Sequence, residues 1–145
     1  MIARIPVITL YQPWASLIMA GHKTIETRRH ARFAGLKGKL IGIHAGKKMD
    51  LDALSMCAVQ FPELYSALQR APRGALLGTV WVQNHRRLGA NDSRSACIDC
   101  SAGDLFGLIL TNILPLREPV PMQGGRGIWY ADFEIPYNIN KSKEQ

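Results

Sequence analysis

The apolar residues of this 145-residue chain come only in short, interrupted runs. The two densest, Ala75 to Val82 and Leu105 to Leu114, reach half the roughly 20 apolar residues that a membrane helix needs, and both carry Gly or polar breaks. Runs of that length, ended by Gly and Pro, suit strands of a small sheet. Membrane spans, collagen and coiled coils are thereby excluded. Three cysteines, an odd number in a chain long enough to bury a core, argue against a disulfide scaffold and for a reducing compartment. The opening Met-Ile-Ala-Arg-Ile-Pro has no basic stretch leading into an apolar one, so no secretory signal is expected and the cytoplasm is the expected location.

Val7 to Leu10 has strand composition and stops at Gln12-Pro13. A short helix is expected from Pro13 to Ala20, with Pro where a first-turn N–H has no partner and Gly21 where a left-handed cap is wanted. Trp14, Leu17 and Ile18 then share a buried face. Further strands are expected at Ile25 to Arg29, Lys39 to His44, Ala75 to Val82, Leu105 to Asn112 and Ile128 to Ile135. Asp50 should cap a longer helix with Leu51, Leu54, Ala58 and Phe61 along one face. Pro62 interrupts it, and a short helix carrying Leu64 and Leu68 follows. The polar stretch from Gln83 to Asp104 reads as a loop or insertion. Without βαβ alternation, this order predicts an α+β fold with a small curled sheet. One domain over residues 1–140 and a polar tail over 141–145 are expected.

Charge is concentrated at the front. Residues 1–48 hold nine Lys and Arg against one acid, Glu26, a balance of +8, whereas residues 49–145 are close to neutral within a total of +7. Such a surplus implies either a solubilising surface or a positive face for a polyanion, and nucleic acid is the commonest polyanion of a cytosol. If residues 25–29 are extended, Thr24, Glu26 and Arg28 point to one side and Ile25 to the other. Lys23, at the turn before the strand, can swing toward the same carboxylate. This trio is either an ion-pair cluster that sets strand register or a net-positive phosphate site, with Arg28 bidentate and Lys23 a point charge.

Other residues divide similarly. Trp14 is a core anchor or a base-stacking platform; Trp129 reads as core. His44 is a hydrogen-bonded strand histidine or, with Lys47 and Lys48, a contact at the edge of such a positive face. Gly124-Gly125-Arg126-Gly127 forms a tight turn or a backbone nest for a phosphate, with Arg126 alongside. Cys97 and Cys100 supply half of a zinc site, but only His85 and Cys57 could complete the four ligands, so no metal and no cofactor is expected. Nucleic-acid contacts are expected from Trp14, Lys23, Thr24, Arg28, Arg29, His44, Lys47, Lys48 and Arg126.

The stretch from Tyr11 to Arg28 resembles the opening of the ASCH domain family (activating signal cointegrator homology) of the PUA-like superfamily. A Gln-Pro-Trp-Ala helix start is followed by Gly-x-Lys-x-x-Glu-x-Arg, here Gly21, Lys23, Glu26 and Arg28 without departure. Ile43-His44-Ala45, Pro72 to Gly78 and Gly127-Ile128-Trp129 match in order, so the resemblance covers nearly the whole chain; residues 91–103 are its least family-like part. The resemblance implies a PUA-like β-barrel of about five to six strands with flanking helices and a cleft beside the first helix. It implies RNA, single-stranded DNA or a nucleotide-like ligand as partner; the sequence itself points to no membrane and to no identifiable protein partner, and an adaptor role for protein partners is the weakest reading.

Some relatives are ribonucleases. In such a reaction Glu26 would take a proton from a 2′-hydroxyl while Lys23 and Arg28 stabilise charge at phosphorus, although a carboxylate between two cations is a weak base. A bacterial branch resembles an acetylcytidine amidohydrolase with an essential Lys, Thr and Glu. Lys23 matches the lysine, but Glu26 stands at the threonine position and Trp81 at that of the carboxylate. Both departures count against amide hydrolysis.

Overall fold

The structure, a computed structural model, describes residues 2–134. Six strands, β1 (Ile2–Gln12), β2 (Ile25–Arg28), β3 (Leu40–Met49), β4 (Ala75–Arg87), β5 (Phe106–Pro121) and β6 (Trp129–Glu134), form one sheet in the order β2-β5-β4-β3-β1-β6. Helix α1 (Trp14–Met19) follows β1; α2 (Leu51–Gln60) and α3 (Tyr65–Gln69) lie between β3 and β4; α4 (Ser93–Ala96) lies between β4 and β5. The fold is α+β, and the sheet curls into a half-barrel whose edge strands, β2 and β6, do not pair with each other among the described residues.

Register irregularities between β4 and β5 favour this curl. Thr79 faces Leu114 but Trp81 faces Thr111, so β5 carries an extra residue there, and Asn112 takes the left-handed conformation (φ 48°) at the bulge. Most pairings are antiparallel, but β1 and β3 run parallel, with Ile8 opposite Ile43. Between them α1 and β2 supply the crossover that a parallel pair requires. The concave side buries Ile8, Leu10, Ile41, Ile43, Val80, Val82, Leu108 and Leu110 against Ala15 and Ile18 of α1. Seating α1 requires Gly78, where a β-carbon would come within 2.5 Å of both Met19 Sδ and the Leu114 carbonyl.

Two expectations need correction. The stretch from Gln83 to Asp104 is not one loop. β4 continues to Arg87, pairing Asn84 through Arg87 with Ile109 through Phe106, and α4 follows. Polarity disguised these strand residues because both faces are polar there: on one the Arg87 guanidinium lies 4.7 Å from the Phe106 ring centre and His85 stacks on the same ring, and on the other Arg86 pairs with Asp92. In α2 the buried face is Ala53, Leu54 and Cys57, whereas Leu51 is 69% exposed and Ala58 is also exposed. Cys57 acts as the small apolar residue that completes the i, i+3, i+4 face. The expected tail at 141–145 and the last residue of the expected final strand, Ile135, lie outside the described residues.

Candidate nucleic-acid interface

The site grows from the junction of β1 and α1. Gln12 is fully buried, and its Oε1 accepts from the Ser16 amide (3.0 Å), satisfying a first-turn donor of α1. Its Nε2 donates to the Pro72 carbonyl (2.7 Å) and to Ser16 Oγ (2.8 Å). Asp50 caps α2 as expected: Oδ1 accepts from the Ala53 amide (3.0 Å), while Oδ2 accepts from Trp14 Nε1 (3.1 Å). One carboxylate therefore fixes both a helix start and the orientation of the indole. At the end of α1, Gly21 takes φ +81°, and the Lys23 amide returns to the Leu17 carbonyl.

This return places Lys23 beneath Trp14. Lys23 is 1% exposed; its Nζ lies 4.9 Å from the indole centre, 3.8 Å from Glu26 Oε1, and donates to the Ala96 carbonyl at 2.5 Å. Burial pushes its pKa below 10.5, against the opposing pull of Glu26. Glu26, also buried, receives Arg28 Nη2 on its other oxygen (3.1 Å). Arg28 is 30% exposed and stacks on Phe33, its guanidinium 4.9 Å from the ring centre. Its buried Nε–H has no acceptor among the described residues. These three side chains form the floor of a cleft of about 420 Å³, walled by Thr9, Tyr11, Trp14, Thr27, Asp50 and Ile98.

A second basin, of about 410 Å³, opens on the other side of Thr9 and Tyr11. His44, Gly46, Lys47, Lys48, Gly74 and residues 122–126 line it. His44 is 1% exposed and lies 2.8 Å from the Met122 carbonyl through Nε2 and 3.2 Å from Thr9 Oγ1 through Nδ1. A carbonyl only accepts, so Nε2 carries the proton. Thr9 Oγ1 accepts from Trp129 Nε1 (3.0 Å), leaving the threonine proton for Nδ1. Lys47, Lys48 and Arg126 are exposed around this network.

The expected site residues thus divide. Trp14, Lys23, Glu26 and Arg28 line the first cleft; His44, Lys47, Lys48 and Arg126 line the second. Thr24 lines neither, since it precedes β2 and its backbone bridges Ser95 and Leu110. Arg29 also lies outside both, exposed and paired with Asp104 at 2.6 Å. Sequence reasoning passed over Thr9 and Tyr11, which line both depressions. Their spacing of two along a strand, which sends both side chains to one face, was the available signal. It also passed over Thr27, Asp50 and Ile98 as cleft walls.

Cys97 and Cys100 face backbone carbonyls, those of His22 and Ile98 at 3.4 Å each, and burial raises both thiol pKa values. Cys97 borders a wider depression of about 770 Å³ between α2 and α4, which meets the first cleft at Ile98.

The ASCH domain family model matches residues 8–116. Among solved structures, ASCH from Zymomonas mobilis superposes with a TM-score of 0.56 at 15% identity, covering 96% of this chain and 92% of that one. A serine-to-alanine mutant and a tyrosine-to-phenylalanine mutant of the same protein each give 0.57 at 15% identity and 96% coverage of this chain, with 93% and 95% of theirs covered. Likeness at that identity concerns the fold, which is the ASCH/PUA-like one.

Proposed function

The chain belongs to the ASCH domain family, and from that premise we propose that it binds RNA in the cleft floored by Lys23, Glu26 and Arg28. The observation that carries this reading is the Arg28 guanidinium. It is held rigidly by Glu26 and Phe33, lines an open cleft, and retains a buried Nε–H with no acceptor among the described residues. The exposed part of the same guanidinium, about a third of the side chain, is open to a phosphate oxygen entering the cleft. Lys23 contributes from below: with Arg28 it leaves the trio net positive, while its own donors face Ala96 and Glu26. The half-buried indole of Trp14, oriented by Asp50, offers the adjoining wall to a base. Fluorescence polarisation with a mixed RNA pool tests the proposal. Retention that weakens steeply from low to physiological salt is expected, with a clear loss in Arg28→Ala. No retention at low salt would overturn it, and equal retention of single-stranded DNA would widen the ligand class.

A second reading, hydrolysis in the same cleft, is favoured by a buried lysine with a lowered pKa beside a carboxylate, a combination enriched at catalytic sites. Glu26 would be the base of a ribonuclease. Amide hydrolysis has less support, because the other acid of the cleft, Asp50, is held by Ala53 and Trp14, and Trp81 is not among the cleft walls. RNA fragments released by the native chain but not by Glu26→Gln, with retention preserved, would establish chemistry; cleavage unchanged in Glu26→Gln would remove Glu26 from it.

A further inference from the structure

Two depressions of nucleotide-binding size lie side by side, each within the roughly 300–1,000 Å³ typical of small-ligand sites. They share two wall residues, Thr9 and Tyr11. Thr9 is engaged by His44 and Trp129, but Tyr11 is 51% exposed, and its only ring neighbour among the described residues is the Lys48 ammonium, 5.9 Å from the ring centre. Beyond it the second basin collects Lys47, Lys48 and Arg126 with no acidic residue among its described lining. Its floor is backbone. A β-carbon on Gly124 would come within 2.7–2.9 Å of His44 and Thr9 Oγ1, so the chain lies flat on that pair. Among the described residues the Gly124 and Gly125 amides donate to no protein acceptor.

We infer that the RNA is single-stranded and crosses Tyr11, one nucleotide on each side, with its phosphate held by Lys47, Lys48 and Arg126 and the neighbouring base in the Trp14–Arg28 cleft. The inference rests on the RNA-binding reading and specifies its substrate class. Exposed, flexible lysines beside free amides suit a phosphate, which positions a strand without reading its sequence. An exposed aromatic ring between two basins suits a base face, which only an unpaired strand can present. A phosphate that draws Lys48 away also uncovers the tyrosine ring. A duplex, with its bases stacked on one another, can use the cations but not Tyr11.

Polarisation with fluorescent hexauridylate, uridine monophosphate as competitor, and a duplex of equal length tests this. Hexauridylate should bind more tightly than the duplex, and the monophosphate should compete weakly because it fills one basin. Tyr11→Ala should weaken hexauridylate binding by roughly 5- to 150-fold, the range for one lost base stack, while Tyr11→Phe retains it. The double variant Lys47→Ala, Lys48→Ala should lower the salt slope by about 1 to 2. Hexauridylate binding unchanged in both Tyr11→Ala and the lysine double variant would overturn the crossing while leaving RNA binding intact. Duplex bound as tightly as the single strand, with equal indifference to Tyr11→Ala, would overturn it too. Native protein that retains no RNA at low salt would remove both readings together.

Discussion

The Lys23 cleft and the Lys47 basin share a wall yet hold positive charge in opposite ways. In the first, the lysine is roofed by Trp14, bonded to a carbonyl and paired with the one acid of the front third of the chain; only the arginine reaches the opening. In the second, all three cations are exposed and the buried member, His44, is tied into a network of neutral partners. Buried charges are tied to folding because a partner left alone in the interior is costly, whereas exposed ones act mainly on ligands through the field. One basic segment therefore supplies a rigid floor and an adaptable rim.

Stability measurements put the sharpest strain on this contrast. Lys23→Ala should cost about 2–5 kcal/mol in urea unfolding, because it empties a buried site, leaves the Ala96 carbonyl without its donor and leaves Glu26 to Arg28 alone, whereas Lys47→Ala should stay within about 0.5 kcal/mol. Equal effects would erase the distinction between floor and rim. Gly124→Ala should cost about 1–3 kcal/mol in thermal unfolding, since its methyl meets the His44–Thr9 pair; a neutral result would mean that the rim's backbone floor yields more easily than its packing suggests. Asp50→Ala should cost about 0.5–2 kcal/mol, the range for a lost helix cap, and should also broaden or shift the Trp14 indole N–H resonance. An unshifted resonance would uncouple the indole from the cap.

The smallest effect concerns pH. Folding lowers the Lys23 pKa below 10.5, so in the window from that lowered value up to 10.5 the unfolded chain binds more protons than the native one. Lys23 therefore makes stability rise with pH across the window. Buried Cys57, Cys97 and Cys100 pull the other way above pH 9, because their raised values keep the native thiols protonated longer. Lys23→Met retains those thiols but removes the ammonium that opposes the rise of Cys97 and Cys100, so the difference between native and variant reports the lysine together with its pull on them. It should rise with pH, and a difference that stays flat would mean that folding leaves the ammonium as easily protonated as in the unfolded chain.

Much of the framework was readable in sequence because its signals are local. Pro13 and Gly21 bracket α1, Asp50 caps α2, and alternation along β2 puts Ile25 in the core and brings Glu26 and Arg28 to the cleft. What escaped depends on distant packing. Lys23 is a basic residue in a basic stretch, and nothing near it announces that Ala96, 73 positions later, will cover it. The strand residues Asn84 to Arg87 look like loop because this end of β4 carries polar side chains on both faces. The division into two basins arises from Tyr11 standing up between strands whose lining residues come from sequence positions as far apart as 9 and 126.

The cover over Lys23 is built from main-chain oxygens: Ala96 receives the ammonium, and Ser95 receives the Thr24 amide. Every amino acid carries such an oxygen. Arg94, Ser95 and Asp99, which are exposed, and the half-buried Ile98 can therefore change identity under selection, altering the Ile98 wall and the hollow behind it, while Ala96 is held by its own burial and the lysine beneath stays clamped as long as the chain keeps its path. Specificity could then diversify in one short stretch without reopening the question of whether the protein folds.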